Sequence, residues 1–337
     1  MTSINLSHLR KYYKKEDKLA VKDFSLSLLP QERIAIVGPS GCGKTTLLHM
    51  IAGILQPDDG AIIIDGMDVT KKKARDRNVA MVFQDQALFP HLSVEENIAF
   101  GLSYKGYTKQ QIEEEVTKLL KDLHLEDVKG RKVSTLSGGQ AKRVSLGRAF
   151  VRHAKILLMD EPLSSLDANL RDEFRHLILT YHQQYPCTLL YVTHDQKEAM
   201  SLATRIVVMK DGCIEQVDTP LMLYQKPKTM FVASFIGSYG MNYFKTNQEN
   251  ILAGIRPESF FLANGKEDGK IAAEVLYKEC FGDRFLYVCK VKDIIVKALL
   301  PMLVEDSQLN LGVKKESILY FDRYTEQRQS VSLDVQL

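Results

Sequence analysis

The chain has 337 residues, 45 basic against 42 acidic side chains and 45% hydrophobic residues. A net charge of +3 excludes binding to nucleic acid by bulk charge and also a long acidic tail. No run of eighteen apolar residues offers a membrane-spanning helix, Met1–Asn5 lacks a secretory pattern, and five scattered cysteines without a Cys-x-x-Cys pair predict reduced thiols in a cytosolic protein rather than zinc or disulfides.

Ile4, Leu6 and Leu9, then Phe24, Leu26 and Leu28, alternate with polar residues and predict two half-buried antiparallel strands. Residues 33–37 are almost uniformly apolar, which suits a strand buried on both faces. A glycine-rich turn follows, and 45–52 reads as a helix stopped by Gly53, so this segment opens a βαβ unit. Further apolar runs lie at 61–64, 79–83, 156–159, 189–192 and 206–209. Between them are helical stripes, one on Ile112, Val116, Leu119, Leu120 and Leu123 behind a Thr108/Gln111 capping box, another on Leu170, Phe174, Leu177, Ile178 and Tyr181. The alternation predicts an open, mostly parallel sheet with an antiparallel addition at one side, interrupted over about 87–154 by a mainly helical subdomain. Beyond about Phe235, glycines punctuate short β-branched and aromatic runs such as Phe285–Val291 and Ile294–Leu300. They predict a small all-β domain, partly open-barrel in character, reached through a helical stretch over 229–236. The expected division is 1–235 and 236–337.

Gly38-Pro39-Ser40-Gly41-Cys42-Gly43-Lys44-Thr45 matches G-x-x-x-x-G-K-[ST] in full, with Thr46 behind it. Glycines let successive N–H groups point inward at phosphate oxygens, and the following helix adds its positive end. Lys44 supplies a point charge for the β- and γ-phosphates, and the Thr45 hydroxyl a ligand for Mg²⁺. These residues predict a nucleoside triphosphate site. Asp160-Glu161 close an apolar strand, at the end where α/β sheets bind ligands. Asp160 then suits the Mg²⁺ shell, and Glu161 is placed to polarise an attacking water.

Leu136-Ser137-Gly138-Gly139-Gln140 opens another helical stretch and makes a second anion nest, although a chain needs only one for its own triphosphate. With this motif the chain resembles the nucleotide-binding subunit of an ATP-binding cassette (ABC) transporter. The resemblance implies an α/β P-loop NTPase fold with a mixed-sheet core, an antiparallel β subdomain and a helical subdomain, followed by an all-β, OB-like transport-associated domain. It implies that Ser137, Gly138, Gly139 and Gln140 face the γ-phosphate held by a second copy or a related ATPase subunit. By the same resemblance Gln84 touches Mg²⁺ and the attacking water, Ser165-Leu166-Asp167 crosses the dimer interface, and His194 contacts the γ-phosphate beside the catalytic Glu161. Tyr13 resembles the aromatic that stacks on adenine, although Tyr12 is adjacent and strand phase decides between them. Asp195 and Glu198 read simply as a capping pair.

Residues 85–91 resemble the region that forms a groove for a coupling helix of a membrane partner. Leu88 and Phe89 are expected to be exposed there, the alternative being that they pack inside the helical subdomain. The resemblance thus implies a peripheral subunit at the cytoplasmic face of the membrane, working with two permease subunits and indirectly with a solute-binding protein, without nucleic acid. The C-terminal likeness, carried by 235–244 and Gly254-Ile255-Arg256-Pro257-Glu258, is to the maltose and multiple-sugar subgroup. Importers of polyamines, ferric iron, sulfate, molybdate or phosphonate are the alternatives. A soluble ABC ATPase of translation or DNA repair would carry two cassettes or a long coiled-coil insertion, and a P-loop kinase or GTPase leaves 136–140 without a purpose.

Overall fold

The alternating strands pair so that their apolar residues meet: Ile4 faces Leu28, Leu6 faces Leu26 and Leu9 faces Phe24 along β1 (Ile4–Tyr13) and β2 (Lys18–Leu28). The computed structural model describes residues 3–14, 17–102, 106–164, 166–263, 271–331, 333 and 335. The chain divides into two units, 1–220 and 221–337.

In the first unit β1 also pairs antiparallel with β4 (Asp59–Ile64), which turns back on β5 (Met67–Asp68), giving a sheet in the order β2-β1-β4-β5. A second sheet holds β3 (Arg33–Val37), β6 (Val79–Val82), β7 (Ile156–Asp160), β8 (Thr188–Val192), β9 (Arg205–Lys210) and β10 (Cys213–Asp218). Its order is β10-β9-β3-β8-β7-β6, parallel throughout except for β10. Strands β7 and β8 are buried at every position, as near-continuous apolar runs in a parallel sheet require.

Helix α1 (Lys44–Ala52) shares one core with both sheets: Leu47, Leu48, Met50 and Ile51 pack among Leu6, Leu9, Phe24, Ile36, Ile62, Leu190 and Val207. Each such side chain contributes roughly 1.5–3 kcal/mol on full burial, so the start of α1 has little freedom to move. Gly53 ends it at φ 78°, its N–H returning to carbonyls of the last turn.

Between β6 and β7 the chain is helical, with α2 (Val94–Ala99), α3 (Lys109–Asp122) and α4 (Gly138–Phe150). Each has a reciprocal capping box, Ser93/Glu96, Thr108/Gln111 and Ser137/Gln140. Helices α5 (Ala168–Gln184) and α6 (Gln196–Leu202) follow β7 and β8.

Helix α7 (Pro220–Gln225) spans the division, and α8 (Met230–Phe235) lies wholly in the second unit. That unit is otherwise all β. One antiparallel sheet joins β11 (Asn242–Lys245), β12 (Ile251–Ile255), β18 (Ile318–Asp322) and β19 (Arg328–Gln329). The other joins β13 (Phe260–Leu262), β17 (Gln308–Val313), β14 (Ile271–Cys280), β15 (Phe285–Val291) and β16 (Ile294–Leu300). Buried Asn242 links the two, donating to the Ile255 and Lys297 carbonyls and accepting from the Lys297 N–H. Arg256 donates to the Tyr224, Ala233 and Ile236 carbonyls and lies 3.9 Å from the centre of the Tyr224 ring. Burial pulls its guanidinium down to about 10. Arg256 thereby fastens the segment 224–236 to β12.

Candidate functional site

The parallel register fixes which residues meet at the carboxyl edge of the large sheet. Ile36 lies beside Val192, and Val192 beside Asp160, so β8 runs between the strand that feeds the glycine loop and the strand that ends in two carboxylates. The loops after β3, β7 and β8 therefore converge at one edge.

The loop after β3 needs its glycines. Gly41 and Gly43 sit at φ 76° and 102°, and a Cβ on Gly43 would lie 2.2 Å from the Ala20 carbonyl oxygen. A Cβ on Gly38 would meet the Met209 carbonyl at 2.3 Å. Lys44 is 6% exposed, and its ammonium donates to the Gly38 and Pro39 carbonyls at 2.9 and 3.0 Å, so the charge is held over the loop. Pro39, Ser40 and Cys42 complete the turn, with the Cys42 N–H donating to the Pro39 carbonyl. Burial pushes the Cys42 thiol up.

Thr45 Oγ1 donates to Asp160 Oδ1 at 3.0 Å. Burial raises the Asp160 carboxyl above the usual range, with the Thr45 hydrogen bond a smaller opposing effect. A carboxylate and a hydroxyl in contact are an oxygen-only donor set that fits Mg²⁺, which takes one or two protein oxygens and fills the rest with phosphates and water. Among the described residues no cluster of three or more His, Cys, Asp or Glu could enclose a metal. This donor set asks for none.

Glu161 follows at φ 43°, a left-handed conformation uncommon outside glycine, and its N–H donates to the Val192 carbonyl at 2.9 Å. That geometry turns its side chain toward the loop after β8, where Glu161 Oε2 lies 3.2 Å from Nδ1 of His194. The His194 side chain is 56% exposed, open to a ligand. Gln84 stands just beyond β6, the neighbour of β7; its side chain is exposed, and its carbonyl accepts from the buried Lys142 at 3.3 Å. Tyr13 is half-buried with its hydroxyl 3.3 Å from Thr46 Oγ1, whereas Tyr12 points outward to Asp17. Strand phase thus sets Tyr13, not Tyr12, beside α1.

The motif at 136–140 stands apart from this group. Ser137 Oγ accepts from the Gln140 N–H, and the Gln140 side chain accepts from the Ser137 N–H, so both are engaged within their own helix. A Cβ on Gly138 would meet nothing within 4 Å, and one on Gly139 only Leu170 at 3.5 Å. Neither glycine has a positive φ. Asp167 caps α5 by accepting from the Leu170 N–H; Ser165 lies outside the described residues.

Other residues join the site without a sequence signal. Lys18, opposite Tyr13 across β1 and β2, brings its ammonium to 3.3 Å from where a Gly41 Cβ would be. Lys142, Ser145 and Arg148, three residues apart on α4, donate to the carbonyls of Gln84, Gln86 and Ala87. The expected Asp195/Glu198 pair is only half a capping box. Asp195 accepts from the Lys197 and Glu198 N–H groups, but the Glu198 carboxylate is buried against Tyr191 and Thr193.

Leu88 and Phe89 are half-buried, not exposed. The Phe89 backbone is held by the Asn97 side chain, and its ring lies 4.5 Å from that of Phe100 and under Arg148. Phe89 still lines a cavity of about 660 Å³, with Ile54, Met81, Phe83, Phe100 and Arg152 among its walls.

Comparison with known proteins identifies the family. Residues 21–164 match the ABC transporter family model. The oligosaccharides import ATP-binding protein MsmX of Bacillus subtilis is 44% identical over 88% of this chain and 84% of its own length. The multiple sugar-binding transport ATP-binding protein MsmK of Streptococcus mutans is 40% identical over 86% of this chain and 89% of its own. A solved structure of the ATP-binding cassette MJ0796, a dimer in a post-hydrolysis state bound to ADP and Pi, aligns with a TM-score of 0.59 at 30% identity, covering 64% of this chain and 98% of that one.

Proposed function

The chain belongs to the ATP-binding proteins of ABC transporters, and from that premise we propose that it hydrolyses ATP to drive a bacterial sugar importer. It works at the cytoplasmic face of the membrane, paired with a second ATPase subunit and with permeases that are separate chains. The sugar assignment rests on MsmX and MsmK, whose names state oligosaccharide and multiple-sugar transport.

The observation that carries the reading is the open space around Gly138 and Gly139. Glycine costs a helix interior about 1 kcal/mol against alanine, and among the described residues only Leu170, 3.5 Å from a Cβ on Gly139, comes near the room the pair leaves. A helix start kept bare is suited to close approach by something outside, here the γ-phosphate of ATP held on the partner subunit. Ser137 and the Gly138 and Gly139 N–H groups at the start of α4 would then receive that phosphate.

On its own side of the nucleotide, the backbone of 38–46 and Lys44 bind the phosphates, and Tyr13 offers its ring to the base. Thr45 and Asp160 would hold Mg²⁺, which when bound neutralises phosphate charge. Glu161 accepts the proton of the attacking water, and His194 holds the carboxylate in place while its exposed edge reaches the γ-phosphate. Gln84 reports to the same space from the end of β6. Because the sandwich needs both nests, ATP stabilises the closed pair and hydrolysis releases it. The cavity beside Phe89, lined by apolar side chains together with Arg75, Asp76, Arg148 and Arg152, is the place for a coupling helix of the permease.

The test is uptake. Deleting the gene is expected to abolish import of at least one oligosaccharide, with restoration by the parent gene and none by Glu161→Gln. Oligosaccharide uptake that survives the deletion, with import of another solute lost instead, would refute the sugar assignment while leaving the ATPase reading in place.

A further inference from the structure

Two loops meet at the hydrolytic site, one after β7 carrying Glu161 and one after β8 carrying His194, and they are joined twice. The first joint is the Glu161–His194 contact. The second is Arg171, on the first turn of α5. Its Nε donates to the Leu166 carbonyl at 3.0 Å, and its Nη1 to Asp195 Oδ2 at 3.0 Å.

Asp195 is itself held by further hydrogen bonds. Its Oδ1 caps α6 through the Lys197 and Glu198 N–H groups, and its own N–H donates to Thr193 Oγ1 at 2.9 Å. Thr193 in turn donates to Glu198 Oε2 at 2.8 Å, where the Tyr191 hydroxyl also donates. Glu198 is 3% exposed and its second oxygen has no hydrogen-bond partner among the described residues. A buried carboxylate left half-satisfied costs stability, yet it holds Thr193. Both neighbours of His194 are therefore pinned, while the imidazole itself remains exposed.

We propose that Arg171 is a positioning residue for hydrolysis: it locks the Leu166–Asp167 turn to Asp195, and so sets where His194 meets Glu161. This rests on the reading of Glu161 and His194 as the hydrolytic pair. A guanidinium suits the task because its planar fork serves two acceptors in different directions at once, which an ammonium does less well.

The experiment is a single-turnover phosphate-release assay on the full chain, with nucleotide affinity measured separately by a fluorescent ATP analogue. Arg171→Ala is expected to slow turnover by up to about 10²-fold, the cost of misplacing a catalytic group by about 1 Å, with affinity unchanged. Asp195→Asn keeps the capping oxygen but loses the charge, and is expected to slow turnover to a similar extent, so it serves if the first variant does not fold. Arg171→Lys should recover part of the rate. In a His194→Ala background, Arg171→Ala should have no further effect, because a residue acting through His194 has nothing left to position. Full rates in Arg171→Ala, losses that multiply in the double variant, or weakened nucleotide binding alone would each overturn the proposal. A His194→Ala protein as fast as its parent would overturn the hydrolytic reading and this proposal together; a slow His194→Ala protein beside multiplying losses would overturn this proposal alone.

Discussion

Nδ1 of His194 lies 3.2 Å from Oε2 of Glu161, with the glutamate backbone held in the left-handed region by a hydrogen bond to Val192. The left-handed backbone aims the Glu161 side chain where an ordinary strand ending would not. The imidazole then keeps the carboxylate in that direction.

Glu161→Gln is expected to bind ATP normally, lower turnover by about 10²–10⁴-fold as for loss of a general base, and accumulate as an ATP-bound dimer. Phosphate release and size-exclusion chromatography with ATP check both parts. Turnover near the parent rate would remove Glu161 from the role of base.

Two glycine substitutions should separate fold from function. Gly43→Ala puts a Cβ 2.2 Å from the Ala20 carbonyl at φ 102°, and is expected to cost about 1–3 kcal/mol of stability and to abolish nucleotide binding. Gly138→Ala enters open space, so stability is expected to hold or rise by up to about 1 kcal/mol, while hydrolysis falls because the bare helix start is filled. Denaturant melts and ATPase rates on both variants decide it. Loss of stability without loss of activity in Gly138→Ala would point to an internal role for that glycine.

Asp160 carries a penalty in the ligand-free protein. Its folded pKa is raised by burial, so between the usual carboxylate range and that raised value the folded state binds more protons than the unfolded one. Stability then falls as pH climbs through this window and stays lowered at neutral pH. Asp160→Asn is expected to melt at or above the parent temperature at pH 7, the difference closing in acid, yet to lose the stabilisation that ATP with Mg²⁺ confers. Thermal melts across pH, with and without MgATP, test both halves.

Tyr13 and Tyr12 should behave differently. With Tyr13 beside Thr46 and Tyr12 turned to Asp17, Tyr13→Ala is expected to weaken ATP binding by the worth of one stacked ring, about 1–3 kcal/mol. Tyr12→Ala should leave it within about two-fold, as for a surface change. Equal effects of the two would put the base elsewhere.

The sequence determined those features that depend on neighbours along the chain. Hydrophobic period placed β1 and β2 with their apolar residues opposed, a buried apolar run placed β3, and the glycine spacing of 38–45 described a loop whose backbone has few other ways to turn. The cap at Thr108 was legible for the same reason, since a capping box closes within four residues; the Ser137/Gln140 box has the same spacing but emerged only from the structure. Tertiary structure alone decided what arrives from another strand or helix. The β8 position between β3 and β7 brings His194 to Glu161, register across a turn brings Lys18 over Gly41, and Arg171 finds Asp195 because α5 and α6 lie side by side. Phe89 and Glu198 belong with these: each reads as a surface residue in its own segment, and each is covered by side chains from elsewhere, Arg148 and Phe100 over the one, Tyr191 and Thr193 against the other. Local spacing encodes backbone geometry, whereas burial and pairing depend on which faces the packed elements present to one another.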